Sequence, residues 1–454
     1  MTDQFARDKG FWLILGRAVI IGTLAGAATL AFTQTVRYST EFIWGTDLDY
    51  SIMGGKWWWI ALLTGAGLLV GLLRTVLKVP DDLEGSLTIV QNGSIDRDHA
   101  LQAIGISVVS LVGGSSLGPF DGGIRSGAMV GDWYASIRGI PEDKRESSVV
   151  SGINGSLGGL LTAPFLATLM VIEFRWPDRT QYFRALIPGF TAAVFGFMLN
   201  FAILGDTFLG VFALPSYDIE LWHFPFAVVL GFVAATLSWL LGLTVFALRR
   251  WVVPLARHIV LRATIGGLAL GLIAMAVPLT IFSGKSQLSQ AIAEVETLGA
   301  ALLVLVVFAK IVAVGISLTT GFIGGPVMPT LFIGGTAGLA VHVMFPDIPI
   351  ALAVSAMLIA VPGVSVGTPF TMMLLAVLTV GIGAVETVPA GIAVLTAYTL
   401  TAGLGWFGLP TDQAVVDIDD TRVRTELFDV AEAGTEDTND ATGTGPQSQG
   451  GRET

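Results

Sequence analysis

Two ionisable side chains, Asp121 and Arg125, lie inside a glycine-rich stretch of a strongly apolar chain, residues 115–131 (SSLGPFDGGIRSGAMVG). Charged residues within a membrane segment are rare and usually serve a function. Backbone groups without hydrogen bonds are costly in a bilayer, so glycine-rich, proline-broken backbone is tolerated only where it lines a protected or watery cavity. The stretch therefore predicts a half-helix whose N-terminal amides face a bound anion.

A second glycine-rich stretch, residues 323–338 (IGGPVMPTLFIGGTAG), repeats the pattern of the first. An offset of 207 residues (325 − 118) relates Gly118, Pro119, Gly127 and Gly131 to Gly325, Pro326, Gly334 and Gly338. Another pair, residues 162–169 (TAPFLATL) and 367–374 (GTPFTMML), has an offset of 205 (369 − 164). Two blocks at nearly one offset predict two homologous halves. In transporter folds the ion site then lies at the interface between the repeats, near the membrane midplane.

The composition places these stretches in a membrane protein. Of 454 residues, 53% are hydrophobic and only 13% are charged, whereas about a quarter of the residues of soluble proteins are charged. Cysteine is absent, and the four histidines are scattered along the chain without the spacing of metal ligands. We therefore expect a polytopic membrane protein that is not an enzyme and has no metal, no cofactor and no nucleic-acid partner.

Charges at the two ends of the chain predict its topology. Arg7, Lys9 and Arg17 flank the first apolar run, and no cleavable signal pattern precedes it. The positive-inside rule then places the N-terminus in the cytoplasm, in a multi-pass protein that we expect in the plasma membrane. Residues 412–454 contain eleven acidic residues against three arginines. We expect this tail to be disordered and cytoplasmic, either merely solvated or regulatory.

Three blocks of sequence resemble motifs of a known family: residues 321–334 (GFIGGPVMPTLFIG), 162–173 (TAPFLATLMVIE) and 262–272 (RATIGGLALGL). The family is that of the CLC chloride channels and transporters, and the likeness covers about residues 10–410. The resemblance implies an all-α polytopic membrane protein of two inverted-topology repeats with broken, re-entrant helices. The repeats would span about residues 10–206 and 220–411 of a transmembrane domain that occupies residues 1–411. It also implies a homodimer in membrane lipid, with one ion path in each subunit.

The same resemblance assigns the anion-binding site to backbone amides of both glycine-rich stretches. The residues concerned are Gly324, Gly325, Pro326, Val327 and Met328, together with Gly118 and Pro119. Val327 stands where the family motif has phenylalanine, and Pro326 before it has no N–H group to donate. The alternative interpretation is that these glycines only allow helices to pack closely.

Other positions depart from the family pattern and bear on gating. The gating glutamate of the family falls on Phe120, with Asp121 one residue later, and its inner proton glutamate falls on Phe174. The pore serine falls on Lys78 or a neighbour, and the pore tyrosine falls around residues 411–412, where no tyrosine is present. The candidate gate and pore residues are therefore Phe120, Asp121, Arg125, Lys78 and Phe174.

Several of these side chains have two interpretations. Asp121 either gates or contacts the ion, or it caps a half-helix with its carboxylate. Arg125 either supplies positive potential to the path or pairs with Asp121 at i, i+4. Lys310 is expected to snorkel or to pair with a carboxylate rather than to bind the ion. Glu173 is expected to be a charge partner near Arg175 rather than a proton relay.

The function that we expect is passive permeation of chloride or a similar monovalent anion, uncoupled from protons. The reason is that neither Phe120 nor Phe174 carries a titratable proton. A proton-coupled anion exchanger that uses Asp121 is the alternative. A membrane scaffold or lipid-binding protein that keeps the fold but transports nothing is a second alternative.

Overall fold

The computed structural model describes residues 9–45, 55–81, 83–142, 145–175, 182–205, 207–208 and 210–404. These residues form sixteen α-helices and no β-strand. Seven of the described helices are long and apolar enough to cross a membrane. The fold is that of an all-α polytopic membrane protein, as the resemblance implied.

The chain divides into one unit that spans Met1–Val415 and a second unit, Val416–Thr454. Every residue from 405 onward lies outside the described residues. The predicted acidic tail at residues 412–454 and the pore-tyrosine position at residues 411–412 therefore stay predictions.

The helices fall into two sets of eight. The first half contains α1 (Lys9–Trp44), α2 (Trp58–Val76), α3 (Ser86–Asn92), α4 (Arg97–Val112), α5 (Phe120–Ile137), α6 (Glu146–Leu161), α7 (Pro164–Phe174) and α8 (Tyr182–Leu204). The second half contains α9 (His223–Val252), α10 (Ile259–Ala276), α11 (Lys285–Ala293), α12 (Ala300–Thr319), α13 (Val327–Met344), α14 (Ile350–Val366), α15 (Pro369–Val380) and α16 (Thr387–Gly403). Long and short helices follow each other in the same order in both halves, so the halves are structural repeats.

Helix boundaries preserve the sequence offsets. Helices α5 and α13 both have 18 residues, and their first residues are 207 positions apart (327 − 120). Helices α6 and α14 both end at a residue in the left-handed conformation, Thr162 and Gly367. Pro164 and Pro369 then open the next helices, because proline fits the first helical turn, where its missing N–H is not needed. Local turn chemistry therefore sets the same helix breaks in both repeats.

Four helices are too short to cross a membrane. Helices α3, α7, α11 and α15 have 7, 11, 9 and 12 residues, whereas a span needs roughly 20. Helix α1 has 36 residues, which exceeds the length of an upright span. Short, long and broken helices together give the re-entrant packing that the sequence predicted.

The equivalent helices α2 and α10 pack against each other and run in opposite directions. A side chain added at Gly67 would overlap the backbone of Ala263, and one at Gly71 would overlap that of Val260. Further along, a side chain at Gly271 would overlap the backbone of Ile60. Small residues bring the two backbones into contact, as is common where helices associate in lipid. Because α2 and α10 are equivalent and antiparallel, the two repeats are inverted relative to each other.

Candidate functional site

The two glycine-rich stretches meet at the junction of the repeats. The amide of Gly118 donates to the carbonyl of Gly325 at 2.8 Å, and the amide of Gly325 donates to the carbonyl of Gly118 at 2.9 Å. These reciprocal bonds form an isolated antiparallel bridge. Helix α5 begins two residues after Gly118 and helix α13 two residues after Gly325. The bridge therefore holds the N-termini of the two helices side by side.

Two serines support this junction in a symmetric way. The hydroxyl oxygen of Ser110 on α4 accepts from the amide of Ile323 at 3.0 Å, and that of Ser317 on α12 accepts from the amide of Ser116 at 3.1 Å. The two hydrogen bonds are equivalent, since both donors and both acceptors are 207 residues apart (323 − 116 and 317 − 110). Each repeat thus supplies a hydroxyl acceptor to the broken backbone of the other. These serines were not among the predicted site residues, although their spacing of 207 residues equals the glycine offset.

Close approach explains why glycine occupies these positions. A Cβ atom at Gly325 would lie 2.9 Å from Cβ of Phe120, and one at Gly324 would lie 2.7 Å from Cβ of Leu117. At Gly118 it would lie 3.0 Å from Cβ of Met328. Gly118 and Gly325 therefore each face the first turn of the other repeat's half-helix, which is the close packing that the alternative interpretation of these glycines predicts.

The first turns of α5 and α13 provide the amides of the candidate anion site. The first amides of an α-helix have no intrahelical acceptor, and the helix dipole makes this end positive. In α13 the N–H groups of Val327 and Met328 fill this role, because the flanking Pro326 and Pro329 have none. Phe120 and Val327, the first residues of the two helices, are both buried. The junction is thus a buried place where two positive helix ends converge.

Asp121 lies at the start of α5 but caps a different helix. One carboxylate oxygen accepts from the amide of Ser86, the first residue of α3, at 3.1 Å. The other accepts from Nε of Arg125 at 2.8 Å, and both side chains are almost fully buried. Arg125 also donates to the carbonyl of Glu84. The structure therefore joins Asp121 and Arg125 as an i, i+4 pair and ties them to the N-terminus of α3.

Helix α7 of the first repeat ends with Glu173 and Phe174. Phe174 is the last residue of α7 and is half-buried. The Glu173 carboxylate accepts from the amides of Phe370 and Thr371 at 2.9 and 2.8 Å, and from the Thr371 hydroxyl at 2.6 Å. Arg175, the expected neighbour, pairs with Glu146 instead. Glu173 thus caps α15 of the other repeat, whose first amides have no acceptor within their own helix.

Lys310 on α12 is held by carbonyl oxygens. Its side chain is fully buried, and Nζ donates to the carbonyls of Thr280 and Phe282 at 3.0 and 2.7 Å. The ring of Phe332 lies 5.0 Å from the same nitrogen. The expectation of snorkelling or of a carboxylate partner was wrong. The 3-10 turn Pro278–Thr280 and the residues after it point carbonyl acceptors at the ammonium group, which sequence spacing does not reveal.

A charge cluster that our sequence analysis did not find ties the end of α2 to α10. Asp81 accepts from Arg74 at 3.0 Å and from two nitrogens of Arg262 at 2.8 and 2.6 Å. Both arginine side chains are buried. Lys78, three residues before Asp81, is instead exposed and lines a surface cavity.

Two inverted repeats, whose broken loops meet and present helix N-termini at their junction, define the architecture of a membrane transport protein for ions. The family described as voltage gated chloride channel matches residues 88–402, and the chain belongs to it. The protein is therefore a multi-pass membrane protein of an anion-transport family.

Individual relatives agree with this assignment. The chain is 24% identical over 367 residues to chloride channel protein CLC-e of Arabidopsis thaliana, a match that covers 75% of this chain and 51% of that protein. The chain thus spans about half the length of this plant relative. A solved CLC-type fluoride/proton antiporter superposes with a TM-score of 0.72 at 19% identity, over 88% of this chain and 97% of the other. A slow cyanobacterial Cl⁻/H⁺ antiporter gives 0.72 at 18% identity, over 93% and 99%.

Proposed function

We propose that this chain conducts chloride or a similar monovalent anion passively, without coupling to protons. The observation that carries the proposal is the reciprocal bridge between Gly118 and Gly325, which brings the starts of α5 and α13 together. An anion at this junction exchanges its water shell for backbone amides, which are dipoles already oriented before it arrives. The amides of Val327 and Met328 are the ones that we assign to it.

The absence of proton coupling is inferred from the side chains at the two positions where the family has its proton-carrying carboxylates. In the family that this chain resembles, coupling needs a carboxylate that moves into the path and a second acidic group behind it. The corresponding side chains here, Phe120 and Phe174, cannot carry a proton. Asp121 is the neighbouring carboxylate, but Ser86 and Arg125 both hold it. Moving it would leave Arg125 buried without its ion partner, at a cost of about 3–5 kcal/mol.

A proton-coupled exchanger is the second candidate, and one observation favours it. Two solved structures with the same fold are described as proton antiporters. In an exchanger, Asp121 would be the mobile carboxylate, and it would break its hydrogen bond with the Ser86 amide of α3 during each transport cycle. The assignment of Lys78 as a pore residue stays a prediction; its side chain is exposed on a surface cavity, and we assign it no step in either mechanism.

Ion flux from liposomes that contain the full chain separates these possibilities. We expect chloride efflux well above that of protein-free liposomes, and a reversal potential that does not move when a pH gradient is imposed at fixed chloride. A reversal potential that follows pH, and ceases to do so in Asp121→Asn, establishes the exchanger. Chloride efflux no faster than from protein-free liposomes leaves only the non-transporting scaffold.

We also infer a homodimer in the plasma membrane, with the N-terminus and the acidic tail in the cytoplasm. Helices α8 and α16 present large apolar side chains on the protein surface, among them Phe201, Leu395 and Tyr398. Apolar helix surfaces in lipid are available for van der Waals packing against a second subunit. Each subunit then contains its own complete junction of Gly118 with Gly325, and hence its own ion path.

A further inference from the structure

A surface cavity of ≈ 820 Å³ lies where α2 ends and α10 begins. Its lining combines basic residues with apolar ones; those that matter here are Arg74, Lys78, Arg257, His258, Leu68 and Leu261. We infer that this cavity binds the phosphate headgroup of an anionic glycerophospholipid, with the start of an acyl chain along its apolar wall.

The cavity lies at the depth of lipid headgroups. Helix α2 spans Trp58–Val76 and helix α10 spans Ile259–Ala276, and both are apolar enough to cross the membrane. Close contact of Gly71 with Val260 sets the end of the first span against the start of the second. The cavity therefore opens at one membrane surface, where the hydrocarbon region meets the headgroups. By the charge rule that places the N-terminus inside, this surface is the cytoplasmic one.

The charges around the cavity favour an anion. Lys78 and Arg257 are exposed and have no carboxylate partner among the residues that the structure describes. Behind them, the single carboxylate of Asp81 pairs with two arginines, Arg74 and Arg262, so this buried group keeps one net positive charge. The first amides of α10, at Ile259 and Val260, add the positive end of an 18-residue helix.

The apolar wall selects a lipid over a free anion. Leu68 and Leu261 are exposed on adjoining helix surfaces beside the basic residues, with exposed fractions of 43% and 50%. A soluble phosphate ion gains nothing from such a wall, whereas an acyl chain next to the phosphate removes its apolar surface from water. Basic pockets between membrane helices on the cytoplasmic side are known to bind lipid headgroups.

Native mass spectrometry of the full chain, titrated with phosphatidylglycerol or phosphatidylcholine, tests the inference. We expect tighter binding of phosphatidylglycerol to the unchanged protein. Lys78→Gln and Arg257→Gln should each weaken it about fivefold, and together about thirtyfold, since each cation near the membrane surface is worth about 1 kcal/mol. Lys56→Gln is the matched control: Lys56 is exposed just before the opposite end of α2, so its loss should leave binding unchanged.

Three results would overturn the inference. One is equal binding of the two lipids by the unchanged protein, and another is an equal loss in Lys56→Gln. The third is displacement of phosphatidylglycerol by millimolar inorganic phosphate, which would assign the cavity to a free anion. Lys78→Arg keeps the charge and should restore binding, which separates a lost contact from a misfolded variant. Because the readout is lipid binding, its outcome does not depend on whether the chain conducts chloride.

Discussion

Gly118 and Gly325 hydrogen-bond to each other twice, each donating its amide to the carbonyl of the other at 2.8 and 2.9 Å. The two residues occupy equivalent positions in the two repeats. Equivalent residues can bond reciprocally only where the pseudo-two-fold axis that relates the repeats passes between them. The starts of α5 and α13 are therefore related by the same axis, and the candidate anion site lies at the centre of the internal symmetry.

Replacing Gly325 by valine should abolish chloride flux without unfolding the protein. The new Cβ atom would lie 2.9 Å from Cβ of Phe120 and 3.1 Å from the amide of Asp121, so the two half-helices must move apart. A β-branched side chain is also too stiff to turn away from the contact. Chloride efflux from liposomes should fall to the level of protein-free vesicles.

The control for this variant is Gly105→Val on α4. Gly105 is exposed, and a Cβ atom there meets no other atom within 4 Å. We expect its efflux to stay close to that of the unchanged protein. Normal conduction by Gly325→Val would place the anion site elsewhere in the molecule.

The crossed serines should contribute equally to stability. Ser110→Ala or Ser317→Ala leaves one buried amide without its acceptor, which costs about 1–3 kcal/mol in the free energy of unfolding. Denaturant titration in detergent measures this loss. Ser289→Ala is the control, because its hydroxyl is exposed and bonds only within its own helix. A clear difference between the Ser110 and Ser317 variants would argue against the symmetric arrangement.

Removing one partner of the Asp121–Arg125 pair should destabilise the protein more than removing both. Asp121→Asn leaves a buried guanidinium without its counter-ion, which should lower the free energy of unfolding by about 3–5 kcal/mol. The double variant Asp121→Asn with Arg125→Met should recover most of the loss, since no buried charge remains. A double-mutant cycle from denaturant titrations gives the coupling energy. Coupling near zero would show that the two side chains do not interact as described.

The protein in lipid nanodiscs or native membrane vesicles should have the mass of a dimer. A variant that tests the dimer must change a residue on the protein surface, because a change at a buried residue such as Ala193 would test folding instead. Leu395→Arg places a charge on the exposed part of α16, where Leu395 is 48% exposed. A charge buried in an apolar interface in lipid is costly, so this variant should shift the protein towards monomers. A monomeric mass for the unchanged protein would contradict the dimer.

The sequence alone was sufficient to predict that the protein spans a membrane and that it contains two homologous halves. Glycines and prolines at offsets of 207 and 205 predicted the two broken stretches, because these residue types disfavour a continuous helix through their own backbone chemistry. In the structure, α5 and α13 begin two residues after Gly118 and Gly325, each directly after a proline. The apolar composition predicted membrane spans in the same way. The thickness of the bilayer sets how many consecutive apolar residues a span needs, so a span can be recognised from the sequence of one segment.

Partners distant in sequence were decided by the tertiary structure. Asp121 caps α3, Glu173 caps α15 and Lys310 binds carbonyl groups near residues 280–282. Glu173 had a possible partner next to it in the sequence, Arg175, and Asp121 had one in Arg125. A buried charge, however, goes to whichever acceptors or donors the packed helices bring within hydrogen-bonding distance. That choice depends on how the helices pack within and between the two inverted repeats, which spacing along the chain does not contain.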